Sequence, residues 1–453
     1  MKAILSLGIV FLCMIMLKGQ DVKMNNEIIF LLNDKETLSK LHYPKSVLKF
    51  YNKNPEYVWT ASSKQSQAWA AMLLLDCAYQ LGLSSSDYHL QELTFEKLKI
   101  IRDTPEKIAQ TEKAGLDILM TDALISFINN LHFGRYNPSY SASYIDANSI
   151  NGFYAADQLS SVRKEEDLLS LILQVQPKIQ LYTDFQNYLN TLYANNNLQA
   201  HEAEIKKIII NMERLRWLNT ESEVYILVNI PSYTLEFHQK KSVFHSKVIV
   251  GKPSTKSPTL ESTINYFTSA PDWKVPQSIF IKEMLPKITM QYLENNHYSV
   301  YDQHGNEVEV NASKLQQIRR NPQRYSVRQS PGCDNALGAV VFRFPNSYGV
   351  YLHDTSQKQL FNKTVRALSH GCIRVEKAKE LAFQLLQYDG SEDQIPVLET
   401  AMVQYKRKDF VLKQPVPLIV TYLTCLIKDG TPVFYDDIYH FDPLLENKFN
   451  LNK

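Results

Sequence analysis

The sequence predicts an α+β protein in two parts: a mainly helical N-terminal domain, then a β-rich domain that carries a helical insertion. Three observations lead there. Apolar residues recur at helical spacing between about 25 and 215. From about 222 the texture changes to short β-branched runs. Between Pro276 and about Arg320 a polar, helix-prone stretch interrupts those runs. At 453 residues the chain is too long for a single core and suits two or three domains.

The first twenty residues read as a secretion signal. Lys2 supplies the positive start, and Ala3 to Leu17 form an apolar run of about fifteen residues. A membrane-spanning helix needs roughly twenty. Leu17-Lys18-Gly19-Gln20 offers a cleavage region, and an uncleaved segment would instead act as a membrane anchor. Cys13 follows Phe11-Leu12 rather than small residues, which argues against lipid attachment. The expected location is therefore the periplasm.

The helical domain spans about 25–215. Leu116, Leu119, Met120, Ala123, Leu124, Phe127 and Leu131 make one apolar stripe. A second helix begins at Leu168 and ends near Pro177, and Tyr182, Phe185, Leu189 and Leu192 mark a third. Gly134-Arg135-Tyr136-Asn137-Pro138 signals a loop. Cys77, in the apolar run Ala70 to Leu81, is expected to be buried. Nothing here forms a catalytic constellation.

The β-rich domain spans about 222–445. Tyr225 to Val228, Val248 to Val250 and Val340 to Phe344 read as strands, and Tyr233, Leu235 and Phe237 alternate as a half-buried strand should. Val350-Tyr351-Leu352-His353 places His353 at a strand end. Ala378 to Leu386 form a helix. Pro417 to Leu423 and Val433 to Tyr435 are expected to close a hairpin through Asp429-Gly430. Cys425 is expected to be buried, and Cys333 lies in a loop.

Hydrophobic residues make up 44% and charged residues 21%, ordinary values for a globular protein. The formal net charge is +2, and loss of Lys2 and Lys18 with the signal brings it to about zero. No polyanion, and so no nucleic acid, is implied as a partner.

The chemistry-bearing residues lie in Ser369-His370-Gly371-Cys372-Ile373-Arg374, with His353 sixteen positions before Ser369 in Tyr351-Leu352-His353-Asp354. A lone cysteine is more often a small buried hydrophobe than a nucleophile. A nucleophilic thiol needs a base and backbone N–H groups to hold an oxyanion. A small glycine turn can aim such N–H groups inward. His353, His370 and Cys372 could instead bind zinc, but no Cys-x-x-Cys or His-Glu-x-x-His pair accompanies them.

His353, a fifteen-residue spacer and Ser-His-Gly-Cys resemble the signature of the L,D-transpeptidases, the YkuD-type catalytic domain. Arg328 to Gly332, Asn335 to Gly338, Tyr351 to Thr355, Arg366 to Ser369, Leu227 to Ser232, Val248 to Pro253 and Trp273 to Pro276 extend the resemblance to the large periplasmic branch. The signature often ends in Asn where this chain has Arg374, a mark of that branch. Val58-Trp59-Thr60, Asp87 to Leu90 and Leu131 to Arg135 resemble the helical scaffold domain that precedes its catalytic domain.

The resemblance implies an acyltransferase acting on peptidoglycan stem peptides. Cys372 would be the nucleophile and His353 the general base. The Asp354 carbonyl would orient the imidazole, and the N–H groups of Gly371 and Cys372 would form the oxyanion hole, with His370 supporting the turn. Tyr351, Arg374, Ser369 and Trp273 are candidates for substrate contact. Residues 277–320 would cap the site. No metal or organic cofactor is implied, a structural disulfide at Cys372 is not expected, and carbapenems are implied as inhibitors. The branch's peptidoglycan-binding module has no room between Tyr193 and Trp217. Two other functions fit the same residues: a carboxypeptidase or cross-link hydrolase with water as acceptor, and a non-catalytic wall-binding scaffold protein.

Overall fold

The computed structural model describes residues 26–61, 65–162, 164–194, 201–219, 222–240 and 242–449. The secretion segment and Cys13 lie outside these residues. The chain divides into two compact units. One comprises residues up to 177 with 189–194, and the other comprises 178–188 and the residues from 201 onward. No helix among the described residues is long and apolar enough to cross a membrane.

The first unit is helical. Its axis is the helix Gln110–Phe133, which Gly134 ends with φ +82. Helices Asn26–Leu32, Pro44–Lys53, Gln65–Asp76, Ala155–Leu159 and Glu165–Val175 pack around it. The apolar stripe predicted one buried face, but this helix is buried nearly all round, including Asp117, Thr121, Asp122 and Asn129.

Two of its carboxylates gather backbone N–H groups from distant loops. Asp117 accepts the N–H groups of Val58, Trp59 and Thr60 at 3.1, 2.8 and 2.7 Å, and the hydroxyls of Tyr51 and Thr60 at 2.6 and 2.8 Å. Asp122 accepts the N–H groups of His42 and Tyr43 at 2.9 and 2.8 Å. Buried polar groups require such partners. Cys77 is half-buried rather than buried, because the α-helix gives way there to a 3₁₀ turn, Cys77–Leu81.

The second unit is built on a nine-stranded sheet. Its strands are β1 (Tyr225–Asn229), β2 (Thr234–Gln239), β3 (Ser242–Gly251), β4 (Leu260–Ser269), β9 (Val340–Arg343), β10 (Leu352–His353), β11 (Ala367–Ser369), β12 (Ile373–Val375) and β13 (Lys408–Thr421). The order is β11-β3-β12-β10-β9-β4-β13-β1-β2, and β3 also pairs with β2, so the row closes on itself. Ile226, Val228, Leu235, Phe237, Val248, Val250, Phe267 and Leu418 fill the core, with the helix Ala378–Tyr388 packed against them.

The expected hairpin is only partly formed as the pattern suggested. Asp429-Gly430 does turn a hairpin, but its strands are β14 (Cys425–Lys428) and β15 (Thr431–Phe434). Pro417 to Thr421 belong to β13, a central strand buried between β1 and β4. The four described cysteines, Cys77, Cys333, Cys372 and Cys425, are unpaired thiols.

The insertion is wider and more strand-rich than its polar sequence suggested. β5 (Trp273–Lys274), β6 (Tyr298–Tyr301), β7 (Glu307–Val308) and β8 (Ser326–Gln329) form a separate sheet in the order β5-β8-β6-β7. Val275, Phe280, Met284, Ile288, Leu293, Val300, Ile318 and Val327 give it a core of its own.

The helix Glu202–Arg216, grouped by its pattern with the helical domain, falls in the second unit. Arg214 pairs with buried Asp442 at 2.6 Å, and the Asn211 side chain accepts the Thr424 N–H at 2.9 Å. Between Ala194 and Trp217 the described residues form this helix and its ends.

Candidate active site

The site is assembled by β10 and β12. β10 runs between β9, antiparallel to it, and β12, parallel to it, with Leu352 opposite Ile373 and His353 opposite Arg374. The Ile373 N–H donates to the Tyr351 carbonyl at 3.1 Å, continuing the ladder one residue back. Side chains alternate along a strand. Leu352, Ile373 and Val375 therefore enter the core, while Tyr351, His353, Cys372 and Arg374 share the opposite face. The Tyr351 and His353 rings meet edge to face, with centroids 5.5 Å apart.

The turn from β11 to β12 presents Cys372. Gly371 has φ +118, a conformation that a residue with Cβ rarely adopts. Ser369, buried below, donates its hydroxyl to the Cys372 carbonyl and accepts the Gly371 N–H at 3.2 Å. In this geometry the Gly371 N–H is spent on the turn rather than left open as an oxyanion donor.

A loop that the sequence reading did not single out holds the turn from behind. The Ser257 hydroxyl donates to the Gly371 carbonyl at 2.7 Å and accepts the Gly251 N–H at 2.9 Å. The Tyr439 hydroxyl donates to the Gly251 carbonyl at 2.6 Å and accepts the Ser257 N–H at 3.1 Å. Gly251 is required by space: a Cβ there would lie 2.1 Å from the Thr255 carbonyl oxygen. Its place in Val248 to Pro253 was the available signal; Ser257 and Tyr439 carried none, since they reach the turn from distant sequence.

His353 is buried, with 5% of its surface exposed, and its Nδ1 has no hydrogen-bond partner. Burial, with the Arg374 and Arg343 charges nearby, lowers its pKa to about 3. The Asp354 carbonyl favours a proton on the ring but makes no well-formed hydrogen bond to Nδ1. The Asp354 carboxylate turns elsewhere, to Lys358 at 2.5 Å and to the Ala339 N–H at 2.9 Å.

Burial raises the Cys372 thiol above its ordinary value, opposed by the backbone N–H and hydroxyl of Tyr351 and by Arg343 and Arg374. The Tyr351 hydroxyl is raised as well, chiefly by burial and then by its place beside Cys372, with Arg343 and the Trp273 side chain opposing the shift. Arg343 lies over the Tyr351 ring, 5.3 Å from its centroid. Arg374 donates to the Gln357 side chain at 3.0 Å. No hydrogen bond joins Cys372 to His353, and burial favours the neutral form of each.

His370 points away from this pair. Its Nε2 meets Glu283 Oε1 at 2.5 Å, linking the Cys372 turn to the insertion. Ser369 and Ser257, rather than the His370 ring, hold the turn. His353, His370 and Cys372 do not converge as three metal ligands.

Residues 223–434 match the model of the YkuD L,D-transpeptidase catalytic domain, and residues 45–189 match the model of the Scaffold domain. A curated Haemophilus influenzae protein named "Putative L,D-transpeptidase" is 31% identical over 347 residues, which are 74% of this chain and 69% of that protein. Two solved structures are also similar in part. "Structure of the Ldtfm-avibactam carbamoyl enzyme" is 12% identical, with a TM-score of 0.21, over 44% of this chain and 49% of that one. "L,D-transpeptidase from Mycobacterium smegmatis" is 15% identical, with a TM-score of 0.21, over 45% of this chain and 60% of that one. The fold and site define a helical domain joined to a β-rich domain with a cysteine and a histidine on one face of its sheet. The chain belongs to the L,D-transpeptidase family, with a Scaffold domain preceding the YkuD catalytic domain.

Proposed function

We propose that this protein is a peptidoglycan L,D-transpeptidase that cross-links diaminopimelate residues through a cysteine thioester. The Cys372 sulfur attacks the carbonyl at the L-centre of diaminopimelate in a tetrapeptide stem. A carbon–sulfur bond forms, the amide bond breaks, and D-alanine leaves. His353 takes the thiol proton and returns it to the departing amine. A side-chain amine of a neighbouring stem then attacks the thioester, loses its proton to His353, and expels the Cys372 thiolate, which is reprotonated. The neutral imidazole is in the form a base requires. With the Gly371 N–H engaged, the Cys372 N–H remains for the oxyanion, together with the Tyr351 N–H and hydroxyl, which face the sulfur. Arg374 and Trp273 border the same face.

The observation that carries this reading is the shared face of Tyr351, His353, Cys372 and Arg374 on β10 and β12. The test is intact mass after incubation with a tetrapeptide stem. The expected result is an adduct of stem minus D-alanine on Cys372, absent in Cys372→Ala, which turns into cross-linked dimer when acceptor stem is added. A carbapenem, with its strained β-lactam carbonyl, should acylate the same sulfur. Release of tripeptide acid alone would assign the hydrolase reaction instead. No adduct with either reagent on folded protein would overturn the catalytic reading and leave the wall-binding one. The reaction belongs in the periplasm, where stems are found; fractionation that retained the protein in the cytoplasm would refute that placement.

A further inference from the structure

The first unit holds a cluster that the proposed reaction does not use. His42, His89 and Asp122 come from three separate segments, and one ligand atom from each lies within 4.8 Å of the others. His89 Nε2 lies 2.7 Å from Asp122 Oδ2, and His42 Nδ1 lies 3.7 Å from the same oxygen. The two imidazoles stack, with centroids 4.6 Å apart and planes inclined by 15°. They stand at the wall of a cavity of about 530 Å³, also lined by Asp87, Asn130, Arg135 and Tyr136.

A satisfied buried carboxylate explains only part of this. Asp122 is fully buried, and the His42 and Tyr43 N–H groups with His89 already satisfy it. Those contacts do not call for a second imidazole facing the same oxygen at 3.7 Å, too far for a hydrogen bond. The nearest other partner of His42 Nδ1 is the Ser126 hydroxyl at 3.4 Å, a weak contact. Stacked imidazoles gain nothing if both become charged. His89 also holds φ +55, a strained backbone for a residue with Cβ.

We propose that His42, His89 and Asp122 form a zinc site in the helical unit, with an exchangeable fourth ligand on the cavity side. Two imidazoles and one carboxylate are a donor set for zinc and related transition metals, not for calcium or magnesium. A tetrahedral centre with bonds of about 2.0 Å spaces its ligands roughly 3.3 Å apart. The observed 2.7 and 3.7 Å to Asp122 straddle that spacing, and the two stacked rings would turn out of parallel to direct both nitrogens at one ion. On binding, His89 Nε2 gives up the proton it donates to Asp122, which passes to solvent, and its freed lone pair goes to the metal, which replaces the hydrogen bond. The two backbone N–H groups on Asp122 remain and orient its free lone pairs, as outer partners do at metal sites. Arg135, which lines the same cavity, is paired with Asp87.

The test is titration of chelator-stripped full-length protein with Zn²⁺ by calorimetry, and with Co²⁺ by visible absorption. Wild type should show one saturable site that is missing in the double variant His42→Ala/His89→Ala. Each single variant should bind at least about tenfold more weakly, since even outer partners of ligands cost that much. Cobalt should show the intense bands of a four-coordinate centre. Metal held by Cys333 or Cys372 is common to all variants and cancels. The His42 side chain is 49% exposed, so His42→Ala alone decides the question if His89→Ala fails to fold. Equal stoichiometry and affinity in wild type and a folded His42→Ala protein would overturn the proposal.

Discussion

In the proposed reaction, one proton decides when the site becomes reactive, and the surroundings of Cys372 and His353 keep it on the sulfur. Burial disfavours charge on both groups, raising the thiol and lowering the imidazole. A preformed thiolate–imidazolium pair is therefore not the resting state, and ionisation waits for a substrate whose developing charge repays the cost. Tyr351 bears directly on this balance, since its hydroxyl and N–H both favour the thiolate. Tyr351→Phe removes the hydroxyl only. Burial is then less opposed, so the thiol moves further up and alkylation at pH 7.5 slows. One lost hydrogen bond of about 1 kcal/mol corresponds to about fivefold in rate. Iodoacetamide kinetics with peptide mapping, which separates Cys372 from exposed Cys333, checks this. Faster labelling of Cys372 in the variant would show that Tyr351 shields the sulfur rather than favouring its charge.

At the scale of elements, the Cys372 turn is held from below by Ser369 and Ser257 and from the insertion side by Glu283. Removing the insertion outright would confuse the test of its role. Cutting 277–320 deletes β6 and β7 and leaves β5 and β8 without the sheet that holds them. Glu283→Ala is cleaner, because it removes only the contact to His370, between partly exposed side chains. Such a contact is worth about 0.2–1 kcal/mol. If the insertion excludes water from the thioester, the ratio of tripeptide acid to cross-linked product should rise about 1.4- to fivefold. An unchanged ratio on chromatographic analysis would show that this contact does not govern water access. In the helical unit the comparable element is Gln110–Phe133. Its apolar stripe was legible because period 3.6 survives in sequence. That its other faces are buried too was not, because Asp117 and Asp122 read as solvent-facing until their distant N–H partners are known. Asp117→Ala should lower the stability of this unit by at least about 3 kcal/mol, since three backbone N–H groups lose their acceptor at about 1–3 kcal/mol each. Denaturant unfolding measures it, and a loss below about 1 kcal/mol would mean that water takes the place of the carboxylate.

Over the whole molecule, the two units have separate hydrophobic cores, and their broad character was legible in the sequence. Helical periodicity gave way to β-branched runs near 222, and Tyr351, His353, Ser369, Gly371 and Cys372 stood out as motif residues. Long-range facts were not legible: β13 as a fourteen-residue central strand, the sheet inside the insertion, and the support of the turn by Ser257 and Tyr439. The charge state of His353 is of the same kind, because it follows from tertiary burial, and it has a consequence for acid stability. Its pKa is about 3 in the folded chain against about 6.5 for an ordinary histidine. Between these values the unfolded chain binds a proton that the folded chain refuses. Stability therefore rises with pH across this window, by up to about 1.4 kcal/mol per unit, and this group contributes nothing above it. Acidification from pH 7 to 5 should weaken the second unit partly for this reason. His353→Gln keeps a buried polar side chain that cannot titrate, so the stability difference between wild type and variant isolates the effect. Unfolding of this unit can be followed by alkylation of Cys425, which is fully buried in β14 and becomes reachable when the unit opens. The difference should shift against wild type by about 1.4 kcal/mol per unit below pH 6. A difference that stays constant from pH 7 to 5 would show that the imidazole accepts a proton inside the folded protein, and the neutral-pair description of the site would fall with it.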